Sequence, residues 1–458
     1  MTVNTVITAP NWESKYAQRV KCWTDSPVRN LFKRLGDTSI ISFAGGLPAP
    51  ETFPVNAFQN TFASILHGLQ YSDFPAEKYQ HLMNELLKGV KTDRRIVDES
   101  LQYHKTAGYE PLRQYLAEKV NKYGVPAKTE NVFLTCGSQQ GLFLTGLIFV
   151  ENGTVILSDR PTYLGAIQAW SSLEGKFCTV PIDNDGTKID ELPEIIEKYH
   201  PKFIYAVPNF HNPGGVCLSR ERREKLVEIA EKYDLFIIED DPYGDIRFEG
   251  EHIPPIISLA KERVIYLCTF SKTLAPSARV GWVIAPAEVI AKFDQAKQGA
   301  DLCTSPLLQM GVHRVLETGM LTDHVKNNRI TYGERRDAMT STLEKYAPEG
   351  STWTHPNGGL FLWHTVPKGI HVPSFADGII DSEKLAVVPG SAFYPPEVPE
   401  WYEHVKDLPE ARTLHVLREK RDEENHSMRL NFSKEKPEVI EAGIKKLCEA
   451  EKKELVKK

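Results

Sequence analysis

The chain has 458 residues, 41% hydrophobic and 25% charged, with a formal net charge of -6 and a sequence pI of about 6.2. That length exceeds what one simple core accommodates and calls for two or three domains. The mildly acidic balance points to no polyanion such as nucleic acid as partner, because phosphate binding needs a clustered basic surface. The seven Cys show no Cys-x-x-Cys spacing, so neither a disulfide framework nor a zinc ribbon is expected, and no metal. The most apolar stretch, 142–150, falls far short of the roughly 20 residues a membrane span needs. The N-terminal residues lack a basic segment followed by an apolar run, so no signal peptide is expected and the cytoplasm is the default compartment.

In chain order, residues 1–75 carry Pro-rich turns and read as an N-terminal arm plus part of a smaller domain. From about Thr129 to Val283, short runs rich in β-branched and aromatic residues precede longer amphipathic runs. Strands are expected at 131–135, 154–157, 203–207, 235–238 and 264–270, and a helix at 219–233 with Leu226, Ile229 and Ala230 on one face. This alternation predicts an α/β domain, residues 76–319, built on a mainly parallel sheet flanked by helices. In such sheets ligands bind beyond the carboxyl ends of the strands. From about Met320 helix and strand patterns mix, as in a smaller α+β domain covering 320–458. Within it, 394–426 is charged and Pro-rich and reads as a surface insertion, and 445–458 as the solvated face of a last helix.

The informative residues stand where the expected strands end. One run leads to Gly137-Ser138-Gln139, a second to His211-Asn212-Pro213-Gly214-Gly215, a third to Asp240-Asp241-Pro242-Tyr243, and a fourth to Ser271-Lys272. Singly, each has an ordinary explanation as a cap, a turn or a solvated loop. Four polar clusters at four strand ends instead imply one pocket. No Gly-x-Gly-x-x-Gly follows a strand and no Gly-Lys-Ser/Thr phosphate loop occurs, which excludes a nicotinamide dehydrogenase or a nucleoside triphosphatase of the usual kinds.

Phe270-Ser271-Lys272-Thr273-Leu274-Ala275-Pro276 with Arg279, Asn212-Pro213-Gly214-Gly215, Asp240-Asp241-Pro242-Tyr243 and Met428-Arg429-Leu430-Asn431-Phe432 resemble the class I/II aminotransferases, which have the pyridoxal-phosphate transferase fold of type I. Ile41-Ser42-Phe43-Ala44-Gly45-Gly46-Leu47-Pro48 is similar to the 2-aminoadipate/kynurenine and aromatic aminotransferase branch. The likeness runs from about Pro27 to the C-terminus. Asn-Pro-Gly-Gly departs from the commoner Asn-Pro-Thr-Gly, and Ser277-Ala278 stands where Gly-Leu is commoner before the Arg.

The resemblance implies pyridoxal 5'-phosphate as cofactor, linked covalently to Lys272. It assigns Asp240 to the pyridine nitrogen, Asn212 and Tyr243 to the phenolic oxygen, and Tyr163 to the ring face. It assigns Ser138, Gln139, Thr269, Ser271 and Arg279 to the phosphate, joined by Tyr103 from the partner subunit of a homodimer with shared sites. Arg429 is implied to clamp the substrate α-carboxylate, with Asn212 beside it and Gly46 allowing close approach of the backbone. The catalytic set is then Lys272, Asp240 and Tyr243. The expected reaction moves the amino group of an L-amino acid to a 2-oxo acid such as 2-oxoglutarate in ping-pong order, with an aromatic, 2-aminoadipate-like or broad donor range. A carbon–sulfur lyase, decarboxylase or oxidase on the same scaffold is the alternative. A regulator with a preceding helix-turn-helix domain is disfavoured, because Gly45-Gly46 stands too near the start. Arg29 is a candidate for greeting an acidic side chain or for a plain helix surface.

Overall fold

The computed structural model describes residues 39–55, 94–396 and 426–457, with Leu31, Asp37, Phe58, Thr61 and Phe62. Arg29 and most of the 394–426 insertion lie outside the described residues. In chain order the elements are β1 (Ile41–Ser42), α1 (Arg94–Leu101), α2 (Glu110–Asn121), β2 (Val132–Thr135), α3 (Ser138–Phe149), β3 (Val155–Arg160), α4 (Leu164–Ser171), β4 (Lys176–Asp183), β5 (Gly186–Thr187), α5 (Leu192–Tyr199), β6 (Phe203–Ala206), α6 (Arg220–Lys232), β7 (Phe236–Asp240), β8 (Val264–Thr269) and β9 (Gly281–Ile284). There follow α7 (Ala287–Ala300), α8 (Pro306–Glu317), α9 (Met320–Tyr346), β10 (Thr352–Trp353), β11 (Phe361–Thr365), α10 (Val372–Ser382), β12 (Leu385–Ala386), β13 (Val388–Pro389), β14 (Ser427–Asn431) and α11 (Pro437–Val456).

The large sheet has eight strands in the order β2-β9-β8-β7-β6-β3-β4-β5. Strands β8, β7, β6, β3 and β4 are parallel to one another, and β5 is antiparallel to β4. Strand β9 runs antiparallel between β2 and β8. The connection from β8 to β9 explains that reversal: it is too short for the dozen or more residues a parallel crossover takes. The apolar pattern predicted the parallel core but neither β4 nor this reversed strand. Strands β2, β6 and β8 are buried along their whole length, as expected for a sheet covered on both faces. The strand period of two divides the residues between the layers. Val132 and Leu134 pack on one face with Leu226 and Trp282, while Phe133 points to the other with Leu142, Trp170 and Phe293.

Helix α6 begins where Ser219 Oγ accepts a hydrogen bond from Arg222 N at 3.3 Å, a side-chain cap that satisfies one orphan amide. The second sheet, β10-β11-β14-β13, is antiparallel throughout. It shares a core with α9 and α11, where Tyr332, Met339, Leu343, Leu430, Ile440 and Ile444 are buried together. The first described segment joins this layer. Strand β1 pairs parallel with β12, and Asn431 N donates to Phe43 O at 2.8 Å. Gly443 on α11 lets Phe43 pack closely, since a Cβ there would lie 2.7 Å from its ring.

Gly281 sets the approach of α3 to the sheet. A Cβ at this position would meet Gly137 C at 2.6 Å, Ser138 N at 2.7 Å and Cys268 O at 2.9 Å, all backbone atoms with no rotamer to yield. Gly281→Ala is therefore expected to destabilise the protein by about 1–3 kcal/mol through overpacking, seen as a lower midpoint in urea unfolding of the full chain.

Candidate active site

Strand β8 ends at Thr269, and the next turn places Lys272 at the carboxyl edge of the sheet. Lys272 Nζ donates to Gly46 O at 2.8 Å, which joins the first described segment to the large sheet. A side chain at position 46 would collide with Phe361, whose Cζ lies 2.7 Å from the ideal Cβ. Burial lowers the Lys272 ammonium to a pKa of about 8, with the positive fields of Arg429 and Arg279 acting in the same direction. A larger share of free amine is thus present near neutrality than an exposed lysine offers.

Strand β7 ends at Asp240, a buried carboxylate. Its Oδ2 accepts from Tyr205 Oη at 2.9 Å, and its Oδ1 has no hydrogen-bond partner among the described residues. Burial raises Asp240 to about 7; the Tyr205 hydrogen bond opposes the shift and the neighbouring Asp241 adds to it. Asp241 fixes the turn that follows. It accepts from Asn209 Nδ2 at 2.9 Å, Gly244 N at 3.0 Å and Tyr266 Oη at 3.1 Å. That turn presents Tyr243, whose phenol is driven to higher pKa by burial and whose oxygen accepts from Asn212 Nδ2 at 3.3 Å.

Asn212 is shared. Its Oδ1 accepts from Arg429 Nη1 at 2.9 Å, so its amide bridges Tyr243 and the arginine. Arg429 comes from β14 in the second sheet. Its Nη2 donates to Ala44 O at 2.6 Å, and the guanidinium lies over the Phe361 and Phe393 rings at 4.2 and 4.9 Å. Burial lowers its pKa to about 10, which leaves it charged at neutral pH.

A second cluster surrounds the start of α3. Gly137 is the cap of this helix, at φ 73°, and Ser138 is the first helical residue. The left-handed backbone favours glycine there, and a Cβ would come within 2.5 Å of Arg279 Nη2. Arg279 donates to Cys136 O at 2.8 Å and to Ser271 Oγ at 3.4 Å, and Ser271 Oγ lies 2.9 Å from Thr269 Oγ1. Gln139 donates to Gly165 O at 2.8 Å and accepts from Tyr163 Oη at 3.2 Å. First-turn amides, a guanidinium and two hydroxyls form a ready anion cradle.

The structure thus brings together Lys272, Asp240, Tyr243, Asn212, Arg429, Gly46, Ser138, Gln139, Tyr163, Thr269, Ser271 and Arg279. Tyr103 stands apart, 78% exposed just beyond α1. Sequence reasoning missed Tyr205 and Phe361. Each is one aromatic within an apolar strand run, where nothing separates a functional ring from a core one.

A family model for the class I and II aminotransferases matches residues 68–402. The chain belongs to the class I and II aminotransferases. It is 36% identical over 454 residues to aromatic-amino-acid aminotransferase 1 of Thermococcus litoralis, covering 98% of this chain and 96% of that one. The crystal structure of a multiple substrate aminotransferase from Thermococcus profundus superposes with a TM-score of 0.81 at 36% identity, over 98% of this chain and 100% of the other. That of an α-aminoadipate aminotransferase from Thermus thermophilus, complexed with N-(5'-phosphopyridoxyl)-L-leucine, gives 0.80 at 31% identity over 98% and 100%. The expected α/β architecture of fold type I, the aminotransferase activity and pyridoxal phosphate as cofactor follow from this membership.

The residues present fit that cofactor. Asp240 Oδ1 is a buried acceptor awaiting a donor, as a protonated pyridine nitrogen supplies. The turn at Gly137 is a cradle that a Cβ would fill. Among the described residues no group of His, Cys, Asp and Glu could hold a metal.

The Lys272 shift has a direct readout. In cofactor-free aminotransferase, acylation of Lys272 by a small acid anhydride, which releases carboxylate, should rise with pH around a midpoint near 8 rather than 10.5. Arg429→Gln should move the midpoint upward, because it removes a positive charge that favours the neutral amine. Peptide mass mapping of the labelled lysine checks both.

Proposed function

We propose that this aminotransferase takes an L-amino acid with an aromatic or 2-aminoadipate-like side chain, or a broad range of both, and passes its amino group to a 2-oxo acid such as 2-oxoglutarate in ping-pong order. The observation that carries the site assignment is the meeting of the depressed Lys272 amine, the half-satisfied Asp240 carboxylate and the buried Arg429 in one pocket.

Pyridoxal phosphate, when bound, carries the amino group and accepts the electron pair left as the substrate Cα loses its proton. Lys272 holds the cofactor and, once displaced by substrate, moves the proton to and from Cα as a free amine. Asp240 accepts the pyridine N–H and keeps it protonated. The pairing removes the buried orphan oxygen and draws Asp240 back toward the ionised form. Tyr243 and Asn212 donate to the phenolic oxygen, and Tyr163 covers the ring. Ser138, Gln139, Thr269, Ser271 and Arg279 hold the phosphate. Arg429 receives the α-carboxylate with a planar fork, its face kept dry by Phe361 and Phe393. Gly46 leaves room for the substrate next to Lys272.

The adjoining exposure of Leu101 and Tyr103, at 60% and 78%, is what supports a homodimer through this segment. In it, Tyr103 reaches the phosphate bound by the partner subunit. We place the enzyme in the cytoplasm, in amino acid metabolism, and divide it at about residues 75 and 319 into arm, cofactor-binding domain and C-terminal domain. No helix among the described residues is long and apolar enough to cross a membrane.

Lys272→Ala is expected to stay folded but to hold no borohydride-reducible cofactor and to show no turnover. A reducible, lysine-linked cofactor in the variant would remove Lys272 from its role. Asp240→Ala should still take up cofactor yet lose most of its activity. Near-normal turnover would leave Asp240 as a structural carboxylate. Wild-type enzyme given an amino acid alone should convert stoichiometrically to its pyridoxamine form, with release of the 2-oxo acid.

Subunit mixing tests Tyr103. A Tyr103 variant crippled enough to be nearly silent is mixed with Lys272→Ala. If Tyr103 acts across the interface, one site of each heterodimer carries both defects and the other neither, so activity returns. If it acts within its own subunit, every site keeps a defect and none returns, with subunit exchange verified by mass.

A further inference from the structure

Lys297 lies near the end of α7 and hydrogen-bonds Asp301 and Gln140, neither of them assigned above to cofactor or substrate, yet it is fully buried. Burying an ammonium is costly unless it is paired and hydrogen-bonded, and an apolar side chain of that size packs at lower cost. Its partners define what the charge does there. Lys297 Nζ donates to Asp301 Oδ1 at 2.6 Å and to Gln140 Oε1 at 2.8 Å. Gln140 Nε2 in turn donates to Asp301 Oδ2 at 2.6 Å, so lysine, amide and carboxylate close a ring of three hydrogen bonds.

Gln140 stands in the first turn of α3, and its Oε1 accepts one more bond, from Cys136 N at 2.8 Å. The carbonyl of the same Cys136 accepts from Arg279 Nη2 at 2.8 Å. The turn that leads to Ser138 is therefore held at one residue from two sides. Arg279 holds the C=O from the sheet side, and the Lys297–Asp301–Gln140 ring holds the N–H from the α7 side. Gly137 O is also occupied, accepting from Thr135 Oγ1 at 3.0 Å and Gln140 N at 3.1 Å. With these groups committed inward, the amides of Ser138 and Gln139 have no partner within the helix and are left for an anion.

We propose that Lys297 is a positioning residue for the phosphate cradle: acting through Gln140 and Asp301, it fixes the Cys136–Gly137 turn so that the Ser138 and Gln139 amides and the Arg279 guanidinium converge on the phosphate of the cofactor. The inference rests on the phosphate assignment made under Proposed function. It adds a residue that touches neither cofactor nor substrate. Its effect is confined to the phosphate end of the ligand, because Asp240 ends β7, Tyr243 and Lys272 stand in the turns after β7 and β8, and none of them shares a hydrogen bond with the ring.

That confinement gives a readout that a general packing defect would not produce. The full chain, freed of cofactor, is titrated with pyridoxal phosphate and, separately, with pyridoxal, which lacks the phosphate. Lys297→Met keeps the volume and removes the charge. It should weaken pyridoxal phosphate about tenfold, the scale of one misplaced charge-assisted hydrogen bond, and leave pyridoxal affinity unchanged. Asp301→Asn, at a side chain 36% exposed and so tolerant of change, should give a smaller loss with the same selectivity. It carries the test alone if Lys297→Met does not fold. An equal loss for both ligands, or none for pyridoxal phosphate, overturns the proposal while leaving the functional reading in place. A wild-type chain that binds pyridoxal phosphate no better than pyridoxal overturns the phosphate assignment itself, and this inference with it.

Discussion

The Arg429–Asn212 hydrogen bond, 2.9 Å long and buried, is the constraint on which the site depends. Arg429 belongs to the antiparallel C-terminal sheet, whereas Asn212 follows β6 of the large sheet. A guanidinium out of water must find acceptors or leave its charge uncompensated. It finds one in each neighbouring segment, Asn212 Oδ1 and Ala44 O. This one side chain therefore registers three segments that are remote in the chain. Asn212 passes the constraint to Tyr243, and Lys272 repeats the link to the first segment through Gly46 O.

Charge is handled here by balance rather than by simple pairing. Burial drives Lys272 down and Asp240 up, so both titrate far closer to neutrality than they do in water. A second buried pair behaves similarly at the base of the Asn212 turn. His211 Nδ1 accepts from Gly214 N at 3.1 Å, which puts the ring proton on Nε2, 3.4 Å from Asp159 Oδ2. Burial pushes His211 down to about 3 and Asp159 up to about 7. The imidazole is thus neutral, and its Nδ1 braces the Asn212 turn by accepting from the Gly214 amide.

Glycine and helix geometry complete the anion cradle. The short return from β8 forces β9 to run antiparallel beside β2, and Gly281 on β9 lets the Gly137 turn lie against it. The placement of Arg279 follows from the same loop. Its left-handed backbone, φ 47°, turns the guanidinium back toward Cys136 and Ser271. Topology and anion binding are in this sense one arrangement.

Much of this was legible in the sequence because it is local. Continuous apolar runs of strand length, followed by amphipathic runs, mark a covered parallel sheet. A polar cluster after each run marks the edge where ligands bind, and the resemblance to the aminotransferases then singled out Lys272, Asp240, Asn212 and Tyr243 within those clusters. What the tertiary structure decided is non-local. Tyr205 became a partner of Asp240 only through the pairing of β6 with β7, and Lys297 became part of the cradle only because the end of α7 packs beside α3. The antiparallel β9 was settled by loop length and by the sheet that receives it. Hydrophobic period records which face of an element is buried, but not which neighbour buries it. Hydrogen bonds between distant segments are determined by that neighbour.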